Sequence, residues 1–341
     1  MTRSAEQIVI PDSELAPFVP GAGEANKARA LLAQQKGAWE MLRTGYDTLQ
    51  SVRTKAFEFD GFQIKVQFNP GRMTSTAAKV DATSIRERKC FLCLENLPAA
   101  QRGIPCDGDY LVLCNPFPIF PEHFTIPTRQ HVPQRILGSF ATLLNLTQAL
   151  GDRYTVFYNG PRCGASAPDH LHFQAGNRAF LPIDTEYEAL KRSGAGPLFE
   201  SAGLRAYGVD GLRRFVSFES SDPSRLQRAF AALHEVLGEG ATDSEEPLLN
   251  ILGFWQNGAW RIIVFPRLKH RPAFYFKEGD EQLLISPAAV EMGGICTTPR
   301  EQDFEKVTRE HLVGMYQEVC IPEEKFVEQK ARLTLKLKAL A

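Results

Sequence analysis

Along residues 55–68, KAFEFDGFQIKVQF, apolar Phe62, Ile64, Val66 and Phe68 alternate with polar neighbours. A period of two predicts a strand, and Asp60-Gly61 predicts the turn of a hairpin. Upstream, Leu32, Trp39, Leu42, Tyr46 and Leu49 recur near helical spacing and predict one helix. Before it, Pro11, Pro17, Pro20, Gly21 and Gly23 mark residues 1–25 as an irregular arm. Downstream, YLVLCN and HFTIP predict two strands joined through the proline-rich NPFPIFPE. Pro133 suits the first turn of a helix with apolar Ile136, Leu137, Phe140, Leu143 and Leu144, ended by Gly151. TVFYNG reads as a strand, PRCGASAPD as a loop, and HLHFQ as the strand leading out of it.

Residues 184–247 are charged and carry several glycines and prolines, apart from a strand at RRFVSF and a helix at RLQRAFAALHEVL. A boundary near 185 is therefore expected, dividing the chain into 26–185 and 186–341. LLNILGFW and WRIIVFP then flank an Asn257-Gly258 turn. The segment FPRLKHRP that follows matches IPTRQHVP: Pro127, His131 and Pro133 share their spacing with Pro266, His270 and Pro272. Together with two preceding strands in each half, the match suggests a duplicated unit. The expected class is α+β, with largely antiparallel sheets and packed helices.

The chain of 341 residues exceeds what one core usually organises, and 43% hydrophobic with 23% charged residues is ordinary for a globular protein. A net charge of −1 gives no general attraction to nucleic acid or anionic lipid, so no partner of either kind is expected. An anionic substrate must be gripped by a local basic cluster. No stretch approaches the roughly 20 apolar residues of a membrane span, and MTRSAEQIVIPDSELAPF lacks a signal-peptide core, so a cytoplasmic location is expected. Seven cysteines, an odd number in a long chain, argue against a disulfide framework.

The most informative segment is GASAPDHLHFQ. On a strand, His170, His172 and Gln174 share one face while Leu171 and Phe173 turn to the core. Amide N–H groups of the preceding loop, which holds Gly164 and Ser166, can cradle phosphate oxygens beside an imidazole. Surface polarity alone would supply Lys, Glu or Thr as readily as two histidines. The second signal is Cys90-x-x-Cys93. A redox pair usually opens a helix in a βαβ context, which the preceding hairpin does not provide. Tetrahedral zinc needs two further ligands, for which His131 and His170 are available, with His123 competing for the place of His131.

These elements together, His-x-His-x-Gln after a Gly-x-Ser loop with Cys-x-x-Cys upstream and a strand–Pro–x–x–x–His element between, resemble the histidine-triad superfamily. The resemblance is closest to its transferase branch of galactose-1-phosphate uridylyltransferase, diadenosine tetraphosphate phosphorylase and the GDP-hexose phosphorylases. Its motif-bearing part covers about residues 55–180, and the remainder resembles a bacterial subfamily of that branch. The resemblance implies two fused histidine-triad-like halves, the second without the catalytic motif. It makes His172 the nucleophile and assigns structural zinc to Cys90, Cys93, His131 and His170. The implied substrate is an NDP-hexose or a dinucleoside polyphosphate, and the acceptor inorganic phosphate or a sugar phosphate. One departure stands out: Ser166 lies four residues before His170, where three is usual, which puts its own role in question.

Side-chain chemistry agrees with such an activity. Neutral imidazole is a good nucleophile near neutral pH, and it divides one difficult phosphoryl exchange into two easier ones. Gln174 can hold a phosphate oxygen but cannot shuttle a proton, which favours transfer to an anionic acceptor over hydrolysis by water. Asn159 at the end of its strand, Arg72 after the hairpin, and Arg267 and Lys269 in the basic FPRLKHRP are further candidates for substrate phosphates or nucleoside. A plain turn, a solvated arginine and a charged strand exit are the alternatives for these positions. Asn115 to Pro118 is expected to shape the wall around the base, and His234 and His311 read as helix positions without chemistry. Three other functions compete: a hydrolase with the same nucleophile, a zinc-stabilised nucleotide-binding protein without turnover, and a thiol oxidoreductase.

Overall fold

The computed structural model describes residues 5–18, 21–77, 80–192, 194, 196–201, 203–239 and 245–340. Pro20 of the expected arm lies outside them. The described part of that arm is ordered, with short helices Ala5–Ile8 and Asp12–Leu15. Ile8, Ile10 and Leu15 are buried, and Val9 bridges to Gly103. Apolar side chains at that spacing hold the segment down despite its prolines.

The strands are β1 (Arg53–Phe59), β2 (Phe62–Phe68), β3 (Gly103–Cys106), β4 (Tyr110–Cys114), β5 (His123–Pro127), β6 (Tyr154–Asn159) and β7 (His172–Asn177). The second half adds β8 (Phe199–Ser201), β9 (Leu204–Val209), β10 (Phe215–Ser220), β11 (Leu249–Gln256), β12 (Ala259–Pro266) and β13 (Ile295–Thr298). β1 and β2 form the expected hairpin, with Gly61 at φ 79°, and β13 joins β2 in parallel. The Asn257-Gly258 turn has φ of 53° and 75°, the left-handed pair that a tight two-residue hairpin requires.

Ten strands make one continuous sheet in the order β3-β4-β5-β7-β6-β11-β12-β10-β9-β8. Read inward from each edge, the halves repeat one topology: β3-β4-β5-β7-β6 against β8-β9-β10-β12-β11. They meet at the antiparallel pair β6 and β11, which sets Asn250 opposite Asn159. This strand order carries the duplication. It also removes the motif match that first suggested it. IPTRQHVP follows β5, whose counterpart is β10, whereas FPRLKHRP follows β12. The expected boundary at 185 falls inside a helix, Pro182–Arg192.

Helices Phe140–Leu150, Pro223–Gly238 and Glu323–Ala339 contribute to one large core on one face, where the Phe140 and Phe230 rings stack 4.0 Å apart across the halves. A second core, including Phe120, Phe157, Phe254 and Tyr316, covers the other face. No helix among the described residues is long and apolar enough to cross a membrane.

Two expectations about helices need correction. The single N-terminal helix is two, Glu24–Ala38 and Glu40–Leu49, broken where Trp39 adopts an extended conformation and buries its indole. The helix expected from Pro133 begins only at Phe140, after a 3-10 turn. Backbone N–H groups that would enter its first turn have other partners: Gln134 donates to the Pro168 carbonyl and Ile136 to the Glu246 carboxylate.

Candidate functional site

β6 and β7 are adjacent in the middle of the sheet, and the loop joining them, residues 160–171, returns over their ends. Gly164 in this loop has φ +100°, and a Cβ there would lie 2.4 Å from the Ala288 side chain, so only glycine fits. β7 starts at His172 rather than His170, because the His170 N–H closes a turn onto the Ala167 carbonyl. His170 is thereby turned toward the cysteine loop while His172 and Gln174 remain on one face of the strand.

Cys90, Cys93, His131 and His170 converge, with one ligand atom from each lying within 4.8 Å of the others. Cys93 Sγ is 3.1 Å from His131 Nδ1, and Cys90 Sγ is 3.3 Å from His170 Nδ1. His170 Nε2 donates to the Thr128 carbonyl at 2.8 Å, which leaves its Nδ1 lone pair facing the thiols. His131 is 46% exposed, and its Nε2 lies 3.8 Å from Asp169, which also pairs with Arg88. Burial raises the Cys90 thiol, but the His170 contact together with the backbone N–H groups of Leu92 and Cys93 takes the pKa down to about 6. Burial and then the Cys90 charge push Cys93 up to about 12. The two thiols thus oppose each other's ionisation, and a divalent ion would hold both as thiolates. Two sulfurs and two nitrogens in this arrangement fit a tetrahedral metal. His123, the competing ligand, is elsewhere: its Nε2 meets Gln174 Oε1 at 3.0 Å.

His172 is 3% exposed. Its Nδ1 lies 2.8 Å from the His170 carbonyl, which can only accept, so the proton sits on Nδ1 and Nε2 carries a free lone pair. Burial holds the pKa down to about 4, so the ring is neutral at pH 7. Its backbone is held by a residue the sequence did not single out. Gln134 Oε1 accepts the His172 N–H at 2.8 Å, while its Nε2 donates to the carbonyls of His172 and Asn159, both at 3.0 Å. One amide side chain thus ties together the ends of β6 and β7. The sequence carried no signal for it, because Gln134 follows Pro133 in what reads as a first helical turn.

Asn159 Oδ1 accepts from Ala289 N–H at 2.8 Å and from Asn250 Nδ2 at 3.0 Å, so its own amide N–H groups are directed elsewhere. Behind it stands Arg267. At 4% exposure, Arg267 is a buried strut rather than an exposed cation. Its guanidinium donates to Asn250 Oδ1 at 2.5 Å and to the carbonyls of Val319, Pro287, Lys269 and His270. Lys269 pairs with Glu318. The structure therefore does not bring Arg267 and Lys269 to the His172 face with free donors. Arg72 donates from Nη1 to the Phe117 carbonyl at 2.6 Å, and its charge is felt at His123, the partner of Gln174. Its buried Nε has no acceptor among the described residues, and burial lowers its pKa to about 10. Ser166 is half-buried in the loop.

Residues 31–177 match a family model described as a domain of unknown function (DUF4922), and residues 212–339 match one described as "GDPGP1-like, C-terminal domain". Galactose-1-phosphate uridylyltransferase of Halalkalibacterium halodurans is 34% identical over 108 residues, covering 27% of this chain and 21% of that protein. Diadenosine 5',5'''-P1,P4-tetraphosphate phosphorylase 2 of Saccharomyces cerevisiae is 37% identical over 81 residues, covering 20% of this chain and 25% of that protein. The chain thus spans only 21% and 25% of these relatives' lengths. The crystal structure of yeast Ap4A phosphorylase superimposes with a TM-score of 0.53 at 20% identity, covering 83% of this chain and 97% of that one. The fold is shared, and the chain is related to the transferase branch of the histidine-triad superfamily, as the motif implied.

Proposed function

We propose that this chain, a relative of the histidine-triad transferases, is a cytoplasmic nucleotidyltransferase of the phosphorylase type that forms a covalent nucleotidyl-His172 intermediate. The observation that carries this reading is the His172 ring: buried, neutral, and held by Nδ1 so that the lone pair is on Nε2. Nε2 attacks the α-phosphorus of an NDP-hexose or dinucleoside polyphosphate. An N–P bond forms as the P–O bond to the leaving phosphate breaks, and the leaving group departs as an anion. An oxygen of inorganic phosphate or a sugar phosphate then attacks the same phosphorus, and the N–P electrons return to Nε2. Gln174 and Asn159 offer amide donors to the phosphoryl oxygens, and the loop N–H groups around Gly164 and Ser166 add to them. Arg72 neutralises a neighbouring phosphate. Arg267, through Asn250, keeps Asn159 in place, and Lys269 stays at the rim of that support.

Cys90, Cys93, His131 and His170 would hold zinc. With four protein ligands the ion is structural, tying the cysteine loop to the start of β7. The adjoining carbonyl of His170 is the acceptor that sets the His172 tautomer, so the ion's place and the nucleophile's orientation are linked.

The test is incubation with a panel of NDP-sugars and dinucleoside polyphosphates, with and without inorganic phosphate, followed by mass spectrometry. Phosphate-dependent release of a nucleoside diphosphate supports the reading. Phosphate-independent release of the monophosphate alone would make the protein a hydrolase.

A further inference from the structure

His123 opens β5, fully buried and outside the cysteine–histidine cluster. In the β5–β7 register His123 stands opposite Gly176 and Thr125 opposite Gln174, so His123 and Gln174 are diagonal neighbours on one face. The two ring nitrogens meet different groups. The backbone N–H of Ile119 points at Nδ1 from 3.2 Å, and an amide N–H can only donate, so Nδ1 accepts. A neutral ring then carries its proton on Nε2. Burial, and after it the positive charge of Arg72, lower the pKa to about 3 and keep the ring neutral. Nε2 lies 3.0 Å from the Gln174 amide, and a donor must meet an acceptor, so Oε1 faces the ring and the amide nitrogen faces away.

The residues packed on His123 hold it in place. Tyr46 accepts the His123 N–H at 3.0 Å, and the ring packs against Phe120 and Phe157 with centroids 5.2 and 6.0 Å away. A flipped Gln174 would set two donors against each other here and turn an oxygen toward the phosphate oxygens.

We infer that His123 is a positioning residue for Gln174, fixing its amide so that the nitrogen donates to the phosphoryl group that His172 attacks. The orientation follows from the hydrogen bonds alone; what the nitrogen binds rests on the nucleotidyl-transfer reading.

Nitrogen-15 NMR of the His123 ring tests the orientation independently of turnover. The expected result is an Nε2-protonated neutral tautomer throughout about pH 6 to 8. A proton on Nδ1 would overturn the inference whatever the protein catalyses. In the transfer assay, His123→Phe should lower kcat by roughly 10- to 100-fold with KM nearly unchanged, as for a lost transition-state donor. His123→Gln, which can still donate to Oε1, should recover part of that loss. In a Gln174→Ala background, His123→Phe should change kcat by less than about threefold, because its only route of action is gone. An equal loss in both backgrounds would make His123 a packing residue and refute the inference. If the wild type transfers nothing from any donor in the panel, the transfer reading fails, and the tautomer still decides the orientation.

Discussion

Replacing Arg267 by alanine distinguishes a buried strut from a phosphate clamp. The guanidinium has five protein acceptors: Asn250 Oδ1 at 2.5 Å, His270 O at 3.0 Å, and Val319, Pro287 and Lys269 carbonyls at 3.2 Å. Hydrogen bonds to a charged group contribute about 1.5–3 kcal/mol each, although those sharing one donor group do not add. Two of the five at the lower value already give about 3 kcal/mol, and the carbonyls left buried without a donor raise the loss to roughly 3–5 kcal/mol. Urea unfolding followed by fluorescence should show the midpoint falling by that equivalent, with the slope unchanged. Arg267→Lys should recover little, since an ammonium keeps the charge but cannot reproduce the five-way fork. A clamp on substrate phosphate would behave oppositely, raising KM and leaving stability intact. A stability loss below about 1 kcal/mol with a large rise in KM would refute the strut.

Three further outcomes are expected. Protein purified without added metal should hold about one zinc per chain, with Cys93→Ser losing it; a metal-free, fully folded wild type would exclude the site. Gln174→His should move the product ratio from phosphorolysis toward hydrolysis, because imidazole can shuttle a proton where the amide cannot; an unmoved ratio in an active variant refutes that explanation. Burial raises Glu246 from its ordinary 4.5 to about 7, its carboxylate accepting from Tyr158 Oη at 2.7 Å and Ile136 N–H at 2.5 Å. The folded state therefore binds the proton more tightly. Its contribution to stability is full below about pH 4.5 and is lost as pH rises through about 7. Glu246→Gln should flatten this slope, gaining on the wild type by up to about 3 kcal/mol between about pH 5 and 8; a parallel pH profile would contradict it.

The parts of the site legible in sequence are those written within a few residues of each other. His172 and Gln174 share a strand face by parity alone. Cys90 and Cys93 suggest a metal site by spacing, but between His131 and His123 as the further ligand the sequence left the choice open, and the structure brings His131 and His170 to the pair. What escaped was set by pairings between distant segments. The single ten-stranded sheet depends on β6 meeting β11, and with it the contact of Asn250 with Asn159. Arg267 looked like a surface cation because its neighbours are basic; it is buried because carbonyls from four other residues converge on it. Gln134 was hidden in an expected first helical turn, where its side chain instead bridges two strands. His123 looked like a spare zinc ligand until the Ile119 N–H and Gln174 claimed both of its nitrogens.

The central claim is that His172 Nε2 carries the nucleotidyl group. Incubating the wild type with a reactive nucleotide donor while withholding the acceptor should accumulate an adduct of nucleoside monophosphate mass. As a phosphoramidate, it should be labile to acid and stable to base, and peptide mapping should place it on His172. His172→Ala should keep its fold and metal while turnover falls by several orders of magnitude, since the attacking nitrogen is lost with the ring. An adduct on another residue, or substantial turnover by His172→Ala, would contradict the account.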